Sequence, residues 1–355
     1  MKIVFIANKC LPFHARSLDE KPLGGTETAV IRLAEELHKR GHSVRVYTTH
    51  EKPPQSEPVY VSLADLQREK DVDALISVRD WVPLLVALPS KKRFFWTGDS
   101  FDQIQNFGLG DRRIAARIDA FLAVSAWHAA TLCSQSGFPL EKAWVLRNGV
   151  HLPYFRGSEE RQRKRLIFSS TPYRGLALVP RLFRAVKEKH PTAELHVFSG
   201  FEVYGGAQAY EERAVKQFEA LKQELQQIPG CILHGNTLQK DLAREFMKSA
   251  LLFYPNVFAE TSCITALEAQ AAGCAIVTSD LGALRETVGE AGVVIKGPPG
   301  SDGYNQQFIA ACDKILSDDG YFNSLSQAGL KRAKEFGWDS IAERFESYLQ
   351  KMHGL

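Results

Sequence analysis

No two cysteines in this sequence stand close enough to form a Cys-x-x-Cys pair; the six are scattered at Cys10, Cys133, Cys231, Cys263, Cys274 and Cys312. That scatter argues against a zinc site or a disulfide framework and for a reducing compartment, with the cytoplasm as the default. Long apolar runs are missing as well. Nothing approaches the roughly 20 apolar residues of a membrane span. The opening Met1-Lys-Ile-Val-Phe-Ile-Ala7 lacks a cleavage-site pattern and is expected to be a first strand rather than a leader. Charge of one sign is also scarce, and a formal +3 over 355 residues gives no reason to expect nucleic acid as a partner. Fixed-period repeats and low-complexity tracts are absent. What remains, 45% apolar and 24% charged residues, is the profile of a globular enzyme with room for two domains.

Strand and helix alternate along the chain, which predicts an α/β fold with parallel sheets. Residues 2–7 read as a strand, 26–40 as an amphipathic helix carrying Val30, Leu33, Ala34 and Leu37 on one face, and 43–48 as the next strand. Further strands are expected at 74–78, 93–96, 120–124 and 144–147. Residues 156–165 are charged, have no apolar period and read as a linker that suits a hinge. A second α/β series follows, with strands at 166–169, 195–198, 231–234, 251–254, 275–278 and 292–295, and helices at 177–189 and 208–227. Three basic clusters, Lys91-Lys-Arg93, Arg112-Arg113 with Arg117, and Arg161-Gln-Arg-Lys-Arg165, are either solvated faces or contacts for anionic lipid head groups at the inner membrane face.

The most informative stretch is Glu260-Thr-Ser-Cys-Ile-Thr-Ala-Leu-Glu268, which follows an apolar strand and Pro255 and leads into a helix ended by Gly273. It lies at the C-terminal end of a parallel strand, where open α/β sheets bind ligands. The first turn of such a helix carries unpaired N–H groups and a partial positive charge. The site therefore suits a phosphate for the helix end and hydroxyls for the two carboxylates. A sugar nucleotide has both. The bland alternative makes Glu268 a solvated helix residue and Glu260 a loop charge. A dinucleotide fingerprint is excluded, because about fifteen residues separate the first strand from Gly24-Gly25 and no acid ends the second strand.

The glutamate pair resembles the Glu-x7-Glu motif of retaining family 4 glycosyltransferases. Other fragments resemble that family in the same order: Gly24-Gly-Thr-Glu-Thr28, Val124-Ser-Ala-Trp-His continuing to Val145-Leu-Arg-Asn-Gly-Val150, and Ser170-Thr-Pro-Tyr-Arg-Gly175. The resemblance implies a GT-B fold, two Rossmann-like domains facing a central cleft. Residues 1–157 plus about 338–355 would form the acceptor-side domain, with the last helix crossing back, and 158–337 the donor domain. It implies transfer, with retention, from a nucleoside-diphosphate sugar to a sugar or lipid-linked acceptor in polysaccharide or glycoconjugate synthesis. No protein nucleophile is implied, since the leaving diphosphate itself is thought to help deprotonate the acceptor. Neither metal nor cofactor is expected, because Arg174 and the helix dipole would meet the phosphate charge and no Asp-x-Asp stands in a loop near the pair. A GT-B sugar-nucleotide epimerase and a silent nucleotide-sugar-binding subunit stay open as rivals.

Residue by residue, the resemblance gives Glu260 to the donor sugar hydroxyls and Glu268 to the ribose. Thr261, Ser262, Cys263 and Ile264 would offer backbone N–H groups to the phosphates, Ser262 being alternatively a helix cap. Gly24, Gly25 and Thr26 would face the donor phosphates and the acceptor, unless they are only a helix start needing small residues. Arg174 takes the family's lysine position and would neutralise the diphosphate; the family's earlier arginine is replaced by Ser169, Ser170 and Thr171. Hydroxyls, Arg181 or Arg184 are the candidate substitutes. Asp99 stands where the family carries His-Asp, with Gly98 for the histidine, and is a candidate catalytic base, an acceptor-orienting group or a turn cap. Trp96, Phe101 and Phe107 are candidates for stacking on a sugar or for the core, and His128 is expected on a helix surface. Base recognition is expected around residues 200–206 and 234–237.

Overall fold

The computed structural model describes residues 1–85 and 88–354; Leu355, counted above with the last helix, lies outside the described residues. The chain divides into two compact units, one of Met1–Leu18, Gly24–Gly149 and Gly337–Leu355, the other of Asp19–Leu23 with Val150–Phe336.

The first unit holds seven strands: β1 (Lys2–Ala7), β2 (Ser43–Thr48), β3 (Val59–Ser62), β4 (Val72–Val78), β5 (Ser90–Thr97), β6 (Ala120–Ala123) and β7 (Ala143–Val145). All pair in parallel, in the order β3-β2-β1-β4-β5-β6-β7. The order reverses between β1 and β4, and chains leaving the two neighbouring strand ends there part to opposite sides, opening a crevice. Strand β3 is not legible in the sequence; it is a four-residue edge strand after a Pro- and Ser-rich stretch, too short to show a period. Helix Gly25–Lys39 buries Val30, Leu33, Ala34 and Leu37, the stripe its spacing predicts.

The last helix, Trp338–His353, packs on this same unit. Tyr348 stacks on Trp144 with centroids 4.3 Å apart, and Glu346 pairs with Arg40 at 2.6 Å, its other oxygen lying 3.0 Å from Nε2 of His42. Trp338 lies so close to Gly149 that a Cβ there would sit 2.5 Å from the indole. The glycine of Asn148-Gly149-Val150 is thus required by packing.

The second unit holds β8 (Gln162–Ser169), β9 (Glu194–Phe198), β10 (Cys231–Leu233), β11 (Ser249–Tyr254), β12 (Ala275–Ser279) and β13 (Gly292–Ile295). These too are parallel, in the order β10-β9-β8-β11-β12-β13, and reverse between β8 and β11. Strand β8 begins inside the stretch read as a linker. Its cations are held by partners, which is why no apolar period marks it: Arg161 donates to the carbonyls of Ser249 and Ala272, Arg163 pairs with Asp319 at 2.9 Å, Lys164 donates to the Leu316 carbonyl at 2.8 Å, and Arg165 pairs with Glu245. Two of the three basic clusters are spent in this way, since Lys91 also pairs with Asp73 (2.7 Å) and Arg93 donates to the Leu84 carbonyl (2.9 Å). The arginines at 112, 113 and 117 stay exposed, although Arg113 pairs with Asp111. No helix among the described residues is long and apolar enough to cross a membrane.

Candidate active site

In the second unit the predicted residues gather where the sheet order reverses. Strand β8 delivers Ser170 and, after a turn closed by Arg174 N–H to the Thr171 carbonyl (3.0 Å), Arg174 itself. Strand β11, its neighbour, delivers Tyr254 and the loop to Glu260. Nη1 of Arg174 lies 3.4 Å from Oε1 of Glu260, and its guanidinium carbon sits 3.5 Å from the centre of the Phe258 ring. The ring is held by Asn256, whose amide both accepts from the Phe258 N–H (3.1 Å) and donates to its carbonyl. A planar cation fits such a shelf better than an ammonium does.

Glu260 is buried, and its carboxylate accepts from the Tyr254 hydroxyl at 2.8 Å. Burial raises its pKa, opposed by the Arg174 charge and the Tyr254 hydrogen bond. Tyr254 is pushed up in turn, by burial and the adjoining carboxylate. Its hydroxyl also lies 3.4 Å from Ser170 Oγ, which puts one of the candidate hydroxyls beside the partner of Glu260. Arg181 and Arg184 are engaged elsewhere, with Asp302 (2.7 Å) and Glu224 (2.8 Å).

Glu268 lies inside helix Ile264–Ala271 and is buried, so it is not a solvated helix residue. Desolvation lifts its pKa to about 7, with a hydrogen bond from Gln239 pulling the other way. The residue in the capping position is Cys263, not Ser262, and its side chain makes no capping hydrogen bond. The first turn of such a helix leaves its N–H groups without intrahelical partners, next to Thr261 in the chain.

Sequence reasoning missed several supporting residues. Gly282, in the turn after β12, forms a bridge with Glu260 at φ +62°, and a Cβ there would lie 2.3 Å from the Glu260 carbonyl oxygen. Phe258 and Asn256 hold the cation; a polar residue just past a strand-ending Tyr-Pro is the faint signal available. Gln239 opens helix Gln239–Lys248 and touches Glu268. Near the expected base loops, a cavity of about 170 Å³ is lined by Ser199, Gly200, Glu202, Leu233 and Gly235, among others.

The first unit's candidates gather at the C-terminal ends of β4 and β5. Gly24 is the extended residue before helix Gly25–Lys39, and Gly25 and Thr26 border a recess of about 30 Å³ with Thr97, Gly98 and Asn148. Asp99 is buried, and both its oxygens accept from Arg79, Nε at 2.8 Å and Nη2 at 2.9 Å. Thr97 also donates to it, at 3.2 Å. The carboxylate is thus held in place by a two-pronged guanidinium contact. Arg79, immediately after β4, adopts φ +62°, a conformation L-residues hold only when their surroundings impose it.

His128 is buried, not on a helix surface. Its Nε2 lies 2.9 Å from the Asp99 carbonyl and its Nδ1 accepts from the Val124 N–H at 3.3 Å, the pattern of a neutral ring; burial lowers its pKa to about 4. Trp96 is core, against Phe5 at 6.2 Å, whereas Phe101 and Phe107 are exposed. All six cysteines are free, and among the described residues no group of three or more His, Cys, Asp or Glu is arranged to hold a metal.

Comparison with known proteins gives this geometry a context. Residues 163–318 match the family described as glycosyl transferases group 1. The chain is 23% identical over 263 residues to D-inositol 3-phosphate glycosyltransferase of Streptomyces bingchenggensis, covering 69% of this chain and 56% of that protein. It is 26% identical over 248 residues to alpha-maltose-1-phosphate synthase of Mycolicibacterium smegmatis, covering 66% and 63%. The alignments thus span less than two thirds of either relative. Among solved structures, Anabaena Alr3699/HepE in complex with UDP-glucose superposes with a TM-score of 0.73 at 14% identity, over 99% of this chain and 100% of that one. The expected fold is the observed one, GT-B.

Proposed function

We propose, from the match of residues 163–318 to the group 1 glycosyltransferases within a chain of GT-B fold, that this protein is a retaining glycosyltransferase using a nucleoside-diphosphate sugar. The observation that carries the reading is the convergence of Arg174, Glu260 and Glu268 at the reversal point of the second unit's sheet, with an uncapped helix start beside them. Arg174 and the N–H groups of Thr261–Ile264 take the diphosphate, the charge that grows as the sugar leaves. Glu260 takes the donor sugar hydroxyls, Glu268 the ribose, and the 170 Å³ cavity the base. Supporting the choice of ligand, Alr3699/HepE is described in complex with UDP-glucose.

The acceptor, a sugar or a lipid-linked sugar, is assigned to the first unit beside Gly24, Gly25, Thr26 and the Arg79–Asp99 pair. With both its oxygens engaged by Arg79, Asp99 is assigned the orienting of the acceptor side. Peripheral contact with a lipid surface, in the cytoplasm, is assigned to exposed Phe101, Ile104 and Phe107 with the arginines at 112, 113 and 117. With the phosphate charge met by Arg174 and helix N–H groups, transfer proceeds without metal.

The test is incubation with UDP-, GDP-, ADP- and CDP-sugars, with and without EDTA, followed by NMR. Slow hydrolysis or transfer that survives EDTA and keeps the donor's anomeric configuration is expected. An inverted product, interconversion of sugars, or binding without turnover would each overturn the reading.

A further inference from the structure

Gln239 opens helix Gln239–Lys248, and its Nε2 donates to Oε1 of Glu268 at 2.8 Å. In the ionised form that hydroxyl donors favour, Glu268 holds the amide this way round, since a facing amide oxygen would be repelled. Turned this way, Gln239 Oε1 is buried and takes no hydrogen bond among the described residues. The oxygen of Glu268 that Gln239 engages is Oε1. Buried acceptors are almost always satisfied, so this open amide oxygen, held beside a buried carboxylate, calls for a ligand with a donor for each. Neighbouring hydroxyls on one sugar ring are such a pair.

We propose that Gln239 and Glu268 together read the vicinal diol of the nucleotide ribose, one hydroxyl donating to Glu268 Oε2 and the other to Gln239 Oε1. This rests on the donor-site reading above and adds a specificity-determining residue to it. The Nε2 bond does two things: it fixes the carboxylate's rotamer, and it aims the amide oxygen at the second hydroxyl. The site then selects ribonucleotides over both deoxy forms through two separable contacts.

The experiment is calorimetry with the best-bound of UDP, GDP and ADP, alongside its 2′-deoxy and 3′-deoxy forms, on wild type, Gln239→Leu and Gln239→Asn. Thermal unfolding checks that each variant is folded. Wild type is expected to lose about 3- to 10-fold in affinity for the analogue lacking the hydroxyl read by Gln239, the range for a neutral hydrogen bond. Gln239→Leu should weaken the ribonucleotide by a similar factor and abolish discrimination at that one hydroxyl while keeping it at the other. The Asn variant, whose amide is one methylene short, should behave like Leu. If wild type discriminates and both variants keep that discrimination in full, the assignment to Gln239 is wrong and the donor site stands. If wild type binds ribo and deoxy forms alike, both readings fall.

Discussion

Arg174 and Glu260 form an ion pair of 3.4 Å, Nη1 to Oε1, inside a site where the carboxylate is buried. The pair joins the loops after two neighbouring strands, β8 and β11, and so stands where the sheet order turns. On the proposed reading, a diphosphate entering the site would offer the guanidinium a stronger partner than Glu260 and free that carboxylate for sugar hydroxyls. The two residues are thus coupled, and the variants of each should differ in kind.

Glu268→Ala should weaken the free nucleoside diphosphate by roughly 10- to 150-fold, the range for a hydrogen bond to a charged group. Glu260→Ala should leave that affinity nearly intact and lower the transfer rate. Arg174→Ala should weaken the diphosphate more than the monophosphate, and also lower turnover. Calorimetry beside initial rates separates the three. Equal loss of nucleotide in both glutamate variants would refute this division of roles.

Nucleotide affinity should fall with acid. Glu268 has a pKa raised to about 7 in the empty protein, and hydroxyl donors favour its ionised form. Below pH 7 affinity should drop towards about tenfold per unit, and binding should release protons, measurable by calorimetry in buffers of different ionisation enthalpy. Glu268→Gln should bind more weakly and show a flat profile. A flat profile in wild type would contradict the assignment.

The same group makes a stability prediction. Its folded pKa, about 7, is above its ordinary 4.5, so the folded state favours the protonated acid. That advantage is complete below pH 4.5 and is lost as pH rises through 7. Glu268→Gln, a neutral mimic, should match wild type in stability at pH 4 and exceed it by up to about 3 kcal/mol above pH 7. Urea unfolding at the two pH values checks this.

Gly282→Ala should distort Glu260. A Cβ at 2.3 Å from the Glu260 carbonyl oxygen, on a residue at φ +62°, forces that backbone to move. The expected cost is roughly 1–3 kcal/mol in stability, with transfer reduced more than nucleotide affinity. Normal rates in a folded variant would show that Glu260 needs no such support.

Asp99→Asn should lower stability by about 1–3 kcal/mol, because the half-buried Arg79 guanidinium loses its charged partner. Nucleotide affinity should be unchanged, and Arg79→Lys, which cannot restore the two-pronged contact, should resemble it. A fully stable Asp99→Asn protein without activity would restore Asp99 as a base.

Much of this site was legible because it is local. Glu260, Glu268 and the helix between them share one strand–loop–helix unit, and apolar strands, Pro255 and Gly273 mark its limits within a few residues. The alternation of strands and helices determined the class of fold in the same way, since hydrophobic periods are properties of short segments. Even there, charge hid the start of β8, and shortness hid β3.

What tertiary structure alone decided is everything that depends on which strands are neighbours. Strand β11 pairs with β8 and not with β10, its predecessor in sequence, and that pairing brings Arg174 to Glu260. Gly282 against Glu260, Gln239 on Glu268 and Arg79 on Asp99 arise likewise from chain segments that meet only after crossovers. Burial follows from the same packing, so the raised pKa of Glu268 and the neutral His128 had no local signature. The residue types were in the sequence; the desolvation that sets their charge came from the sheet.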